Sequence, residues 1–473
     1  MSLQQTLLGR FASLESDVPA AGGVADALEI GQVVDEDGAQ LDGENLVEND
    51  LIEASEDAEV VEEGSDDVEE LIDTSEALES FLAAAQAASK QGGWTTQEAA
   101  AYDLGINVVM GRIGGGSRDV MPSLESFGSS RERINATASV ENRITDTLKK
   151  IWEAIKRAVN KVIAFVRKWY LKIADGATRL KKRAEAIRKK AENTQGTAKE
   201  KKIRIPMAGL HISKNAPNAN QLKSALGSVT GLITDLTKGR AAKGYADACD
   251  GLVSALEAVA DGSSENGKAA LGKVFAATGD LTAFESDAAA KAKFPGATDS
   301  QAGVSLKGGE LPGGKKLIAV TLTKGIKDID DKEISAVGRS AFKIALVDAS
   351  DKKVEVDSSK EVQILEPQEV VALADDVITL ADAVIDYRKE FENYERKSKD
   401  TLSKVDKIAN KSGKGDTDAE NANIATARAL ANFAGNALRN HGSSVTNVIN
   451  YGLGLARNAL VYGNSSLNQY KAD

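Results

Sequence analysis

The side chains that most enzymes use for catalysis are scarce here. Among 473 residues there are two histidines, His211 and His441, and one cysteine, Cys249. No HExxH, GxSxG or paired CxxC occurs, which excludes zinc hydrolase chemistry and a cysteine-rich metal site. Cys249 lies in the helical pattern YADACDGLVSAL, near Asp247 and Asp250. Their charges oppose a thiolate, so a buried structural thiol is expected. The closest approach to a nucleotide motif is GELPGGKK, Gly309 to Lys316. It has Walker A spacing but ends in Lys where a hydroxyl must hold magnesium, and it precedes a β-like run instead of opening a helix. A hairpin turn is the expectation there, and no cofactor is expected anywhere.

What recurs is the substrate side of a cleavage. Ser13-Leu14-Glu15, Ser123-Leu124-Glu125 and Ser139-Val140-Glu141 share Ser, an aliphatic and Glu, while Ala27-Leu28-Glu29 and Ala77-Leu78-Glu79 are Ala versions. All five precede residue 142. One further Ala version ends at Glu257, inside a predicted helix where a protease reaches poorly. Any three-residue pattern is weak in Glu-rich sequence. Its clustering in acidic, Gly-containing chain, with the last copy at a charge boundary, points to proteolytic processing.

That boundary is sharp. Residues 1–141 carry 6 Lys and Arg against 30 Asp and Glu, net −24, and residues 142–473 carry 53 against 41, net +12. From Asp17 to Glu79 there are 23 acidic residues and no basic one. Such a segment repels itself, and disorder is expected of it. Gly-rich GRIGGGS, Gly111 to Ser117, marks another flexible stretch. Residues 142–204 reverse the sign with 20 basic and 6 acidic residues. One cysteine suits a reducing compartment, and no apolar run reaches the length of a membrane span.

The elements that must carry these features are mainly helical, because aromatics are only 4% and Ala, Leu and Val dominate the apolar set. Leu3, Leu7, Leu8, Phe11 and Leu14 could line a short helix from Ser2 to Glu15. Leu148, Ile151, Ile155, Val159, Val162, Val166, Trp169 and Ile173 recur at spacings of three and four, which predicts a long basic amphipathic helix. Ala-rich helices follow over about 221–260 and 267–290. Between Gly303 and Glu366 the period drops toward two in KKLIAVTLT, FKIALVD, KKVEVD and EVQILE, predicting a small antiparallel β insert. Pro367 then opens a helix with a heptad seam at 370, 373, 377, 380, 384, 387, 391, 394, 398, 401, 405 and 408, apolar except at Ser398 and Thr401. The Ala/Asn-rich helix after NKSGKGD should pair with it antiparallel. Tyr387, Phe391 and Tyr394 on this seam read as core. The expected divisions are 1–141, a disordered acidic propeptide; 142–205, the basic helix; 206–300, an Ala-rich helical region; 301–366, the β insert; and 367–473, a C-terminal helical hairpin.

On the short N-terminal peptide ending at Glu15, the repeated SLE, ALE and SVE sites, the basic helix from Asn142 and the helix-sheet-helix body, the chain resembles the internal head proteins of phiKZ-like giant tailed phages. The resemblance covers the whole layout. It implies a non-enzymatic structural protein of the prohead core, made in the host cytoplasm and held inside the capsid. Its acidic propeptide would be removed by a prohead protease cutting after Ser-x-Glu-type sites. By that likeness Glu141 is the maturation cut, and Glu15, Glu29, Glu79 and Glu125 are trimming cuts. Ser263-Ser264-Glu265 and Ser359-Lys360-Glu361 would have to be protected by folding.

The implied partners are that protease, other prohead core and capsid proteins, and packaged DNA, with which the mature protein could leave the head. DNA phosphates would repel the −24 segment and accept the +12 body through counterion release. The contact would be nonspecific, through Lys149, Lys150, Lys156, Arg157, Lys161, Arg167, Lys168, Lys181, Lys182, Arg183, Arg188, Lys189 and Lys190. A second reading is a membrane-active or host-takeover protein, whose helix from Thr145 to Ile173 lies on anionic lipid once an acidic guard is removed.

Overall fold

The computed structural model describes residues 39–207, 209–278, 298–299, 305–307, 310–320, 334, 338–339, 341–350, 359–409 and 417–470. The expected N-terminal helix and the KKVEVD run lie outside the described residues. Eight helices dominate them: α1 (Ala39–Lys90), α2 (Thr96–Arg112), α3 (Ser130–Asn193), α4 (Ala219–Thr237), α5 (Arg240–Ala260), α6 (Ser264–Thr278), α7 (Pro367–Ala409) and α8 (Asp418–Leu467). Four of them start with a reciprocal capping box, at Thr95/Glu98, Ser129/Glu132, Asn218/Gln221 and Thr417/Glu420. Each box satisfies two main-chain donors that a helix start leaves open.

α3 is the central element, packed against α1, α7 and α8. All eight residues of its predicted apolar stripe are buried, each burial favouring the fold by roughly 1.5–3 kcal/mol for a side chain of this size. The indole Nε1 of Trp169 donates to Asn450 Oδ1 of α8 at 3.0 Å, and that of Trp152 to Asp406 Oδ1 of α7 at 3.0 Å. These pairs, with Lys181 to Asp382 and Lys190 to Asn464, run α7 antiparallel and α8 parallel to α3.

The C-terminal hairpin forms as the heptads predict. Its seam is buried from Val370 to Val405, including the two polar positions. Ser398 Oγ shares a 2.7 Å hydrogen bond with the hydroxyl of Tyr245 from α5, which explains how a hydroxyl is accommodated in the core. Tyr387, Phe391 and Tyr394 are buried in an aromatic column with Tyr170, Tyr245 and His441.

The β insert is present as a four-stranded antiparallel sheet, β2 (Thr298–Asp299), β3 (Ser305–Lys307), β4 (Lys315–Val320) and β5 (Ile344–Asp348). A separate pair joins β1 (Lys202–Pro206) to β6 (Ser359–Gln363) with Ile203 opposite Val362. β1 falls outside the expected insert. Its KIRIP alternation places Ile203 and Ile205 inward, a two-residue period too short to stand out beside the preceding helix.

Three expectations are corrected. The acidic segment is helical from Ala39 rather than unordered. Val61, Ser65, Val68, Ile72, Ser75, Leu78, Leu82 and Ala85 recur at threes and fours and are all buried, a stripe hidden by the acidic average. The basic helix begins at Ser130, twelve residues before the charge boundary, because Ser129 caps it. The Gly-rich stretch is ordered: Ile113 is fully buried and short 3₁₀ turns follow it.

Candidate processing sites and charged faces

The connector from Ile113 to Ser129 joins α2 to α3. It leaves α2 through Gly114, in the left-handed conformation at φ 73°, and Asn107 Oδ1 accepts from the Ser117 amide at 3.2 Å. Val120, Met121 and Phe127 are buried, and Thr96 Oγ1 donates to the Phe127 carbonyl at 3.2 Å. Between these pins Ser123, Leu124 and Glu125 are all exposed. Leu124–Phe127 forms one 3₁₀ turn, closed by the Ser126 amide donating to the Ser123 carbonyl at 3.0 Å. Opening a single such turn disturbs no α-helix.

The other sites sit differently. Ala77, Leu78 and Glu79 lie within α1, Leu78 fully buried and Glu79 near Arg428 of α8. Ser139, Val140 and Glu141 lie about three turns into α3, with Val140 and Glu141 buried. The Glu141 carboxylate accepts from Ser89 Oγ of α1, and its carbonyl accepts from Thr145 Oγ1 at 2.9 Å. A protease favours exposed loop tips, so a cut at either helical site requires the helix to open. Ser13, Leu14, Glu15, Ala27, Leu28 and Glu29 lie outside the described residues. Ser359-Lys360-Glu361 is part of β6, paired with β1.

The charge inversion does not distinguish Glu125 from Glu141. Residues 126–141 hold two basic and two acidic side chains, so either cut separates −24 from +12.

The basic residues of α3 divide into two sets. One knits the bundle: Lys156 to Asp406 at 3.0 Å, Arg167 to Glu395 at 3.4 Å, Lys181 to Asp382 at 2.7 Å and Arg188 to Asp375 at 3.1 Å, all acceptors on α7. Lys190 belongs with them, its ammonium on Asn464 and Asn468 and its pKa pushed down by burial. The other set, Lys149, Lys150, Arg157, Lys168, Lys182 and Lys189, is exposed. Lys161 and Arg183 are half-buried between the two. Lys150 and Arg157, and likewise Lys168, Lys182 and Lys189, are spaced by sevens or multiples of seven, which puts each group in a row along the helix.

The acidic arm meets cations that no motif in the sequence singles out. Arg439, 1% exposed, donates to Glu69 Oε2 at 2.7 Å, to the Ser65 carbonyl at 2.7 Å and to Asn436 Oδ1 at 3.0 Å. Burial pushes the Glu69 carboxyl up, but Arg439, Lys343 and Arg339 outweigh it and hold the pKa below the ordinary value. Arg339 bridges Asp73 at 3.0 Å and Glu76 at 2.8 Å. No spacing signal announces the pairs between these cations and the arm, since each joins residues more than 250 positions apart.

The other candidate chemistry resolves into structure. Gly313 and Gly314 of GELPGGKK have φ 83° and 65°, and both amides donate to the His211 carbonyl in a turn that leads into β4. Cys249 is buried, its thiol pushed up to about 11 by desolvation. A cleft of about 540 Å³ beside α4, α5 and α7 carries Lys243, Arg396, Glu390 and Asp400 above Tyr387 and His441. Asp376, a carboxyl whose pKa burial raises, does not line it. Among the described residues no cluster of His, Cys, Asp and Glu could hold a metal ion, and no helix is long and apolar enough to cross a membrane.

Taken together these features define a mainly helical protein with a docked acidic arm, an exposed connector and an outward cationic row. The chain belongs to the phiKZ-like phage internal head proteins, which it matches over residues 47–461. That span begins within α1, so it includes the acidic arm as well as the body. No curated protein and no solved structure matches the chain. Family membership places it inside the phage capsid.

Proposed function

We propose that this protein is a non-enzymatic component of the prohead core, synthesised as a precursor, cut by the prohead protease and retained beside packaged DNA. The exposed Ser123-Leu124-Glu125 turn carries this reading. It is the described copy of the repeated tripeptide that lies outside α-helix with all three side chains exposed. Glu125 is therefore the first cut in a folded precursor, and Glu141 and Glu79 are cut only where the chain has not folded or has opened. The body that remains carries net +12 and presents the outward row of α3 to phosphate, while the family supplies the capsid setting.

Treating folded precursor with the prohead protease should create a new N-terminus at Ser126, read by terminal sequencing. Asn142 as the sole new terminus of a folded precursor would overturn this order of cuts, and full-length chain in finished particles would overturn processing altogether. The lipid-surface alternative gains no support from the fold, because the apolar face of the helix from Thr145 to Ile173 is buried in the bundle.

A further inference from the structure

We infer that the groove between α3 and α8 is a receptor for an acidic amphipathic helix and holds the arm, residues 39–112, without covalent linkage. A cut after Glu125 then leaves a nicked but assembled protein. The inference rests on the proposed use of the connector as the first cut.

From Gly64 onward the arm is seated at successive points rather than tethered at one end. Gly64 lies against Val162 of α3, and Ile72 of α1 and Ile155 of α3 both flank Gly435 of α8. Further along, Ser89 bonds Glu141, and the Trp94 amide donates to Thr137 Oγ1 at 2.9 Å. These contacts run α1 antiparallel to α3. α2 adds fully buried Ala99, Ile106 and Met110 to the same core. None of them passes through the 125–126 peptide bond.

Charge makes the seat selective. The groove wall presents Arg439, Arg428, Arg339 and Lys343, and the arm answers with Glu69, Asp73, Glu76 and Glu79. If the arm departed, the guanidinium of Arg439 would lose the Ser65 carbonyl and the Glu69 carboxylate, and the apolar side chains that α1 buries would be exposed to water. Retention also sets when the surface charge changes. With 4 basic and 28 acidic residues in 1–125, the nicked assembly keeps the net −12 of the intact chain, and +12 appears only when the arm leaves. Cleavage and charge reversal are thus separate events.

The test uses the full chain with the recognition sequence of an unrelated, sequence-specific protease inserted after Glu125. After complete cutting, both fragments should co-elute at the intact mass in size-exclusion chromatography at physiological salt. Arg339→Glu, a half-exposed position, should release the arm at dilutions where the parent nicked protein stays assembled. Separate elution of the fragments, or aggregation of the body with the arm left free in solution, overturns the inference. Equal retention by Arg339→Glu overturns its electrostatic part. Because this cut does not use the prohead protease, failure of that enzyme to act at Glu125 would refute the proposed processing order and leave the docking result standing.

Discussion

At the scale of single residues, buried polar groups show where this lean core is most sensitive. Replacing Arg439 with Met removes the donor that the Ser65 carbonyl and buried Asn436 Oδ1 share, and takes from partly exposed Glu69 its nearest cation. The expected loss is about 1–3 kcal/mol in urea denaturation, the usual penalty for stranding buried partners. His441 gives a pH signature. It is buried, stacked on Tyr245 at 4.2 Å between ring centroids, and desolvation lowers its pKa to about 3. The unfolded chain binds a proton at this residue below pH ~6.5 while the folded chain does not, so stability falls as pH drops from there toward 3. From pH 7 to 5 the His441 contribution should be a loss of about 2 kcal/mol, absent in His441→Phe. Glu69 acts lower on the scale: its depressed pKa stabilises the fold above the ordinary carboxylate range, and that support disappears as pH falls through its folded value.

At the scale of elements, the connector and the helices divide the tripeptides into reachable and unreachable copies. Glu125→Gln should block cleavage of folded precursor, whereas Glu141→Gln should leave the first cut unchanged, both read by the masses of the products. The turn between α1 and α2 offers a separate check on docking. Gly93 has φ 79°, and a Cβ there would fall 2.6 Å from the Arg133 carbonyl group of α3. Gly93→Ala should therefore lower the melting temperature, by strain in the left-handed region and by pushing the arm off α3. The sequence displayed the elements whose apolar period was long and unmixed: the stripe of α3, the seam of α7 with its two polar exceptions, and β4 and β5. It concealed α1, where charge density is what composition reports and the buried stripe includes Ser65 and Ser75. It also concealed the cap at Ser129, because the change in charge at residue 142 is louder than the change in backbone at residue 130. The groove cations Arg339 and Arg439 were not legible at all, since their meaning comes from partners on a helix near the other end of the chain.

At the scale of the whole molecule, the basic balance of residues 126–473 cannot be read as one uniform DNA-binding surface. Lys156, Lys181 and Arg188 already face carboxylates of α7, so their charge is used inside the bundle. Lys150, Arg157, Lys182 and Lys189 stand exposed, and seven residues of helix separate the members of each pair by about 10.5 Å. Counterion release ties the salt dependence of binding to the number of phosphates neutralised, with a slope near −0.9 per phosphate on duplex DNA. Substituting outward residues with Ala in the matured protein should thus flatten the plot of log affinity against log salt by up to ~0.9 for each phosphate no longer neutralised, without changing sequence preference. Lys181→Ala should instead leave that slope in place, because its ammonium faces Asp382 of α7 rather than solvent phosphate. Filter binding on two unrelated duplexes across a salt series separates these outcomes. Equal slopes for the outward variants and the parent would mean that the row on α3 is solvated surface, and that the protein stays in the head by binding other proteins instead of the genome.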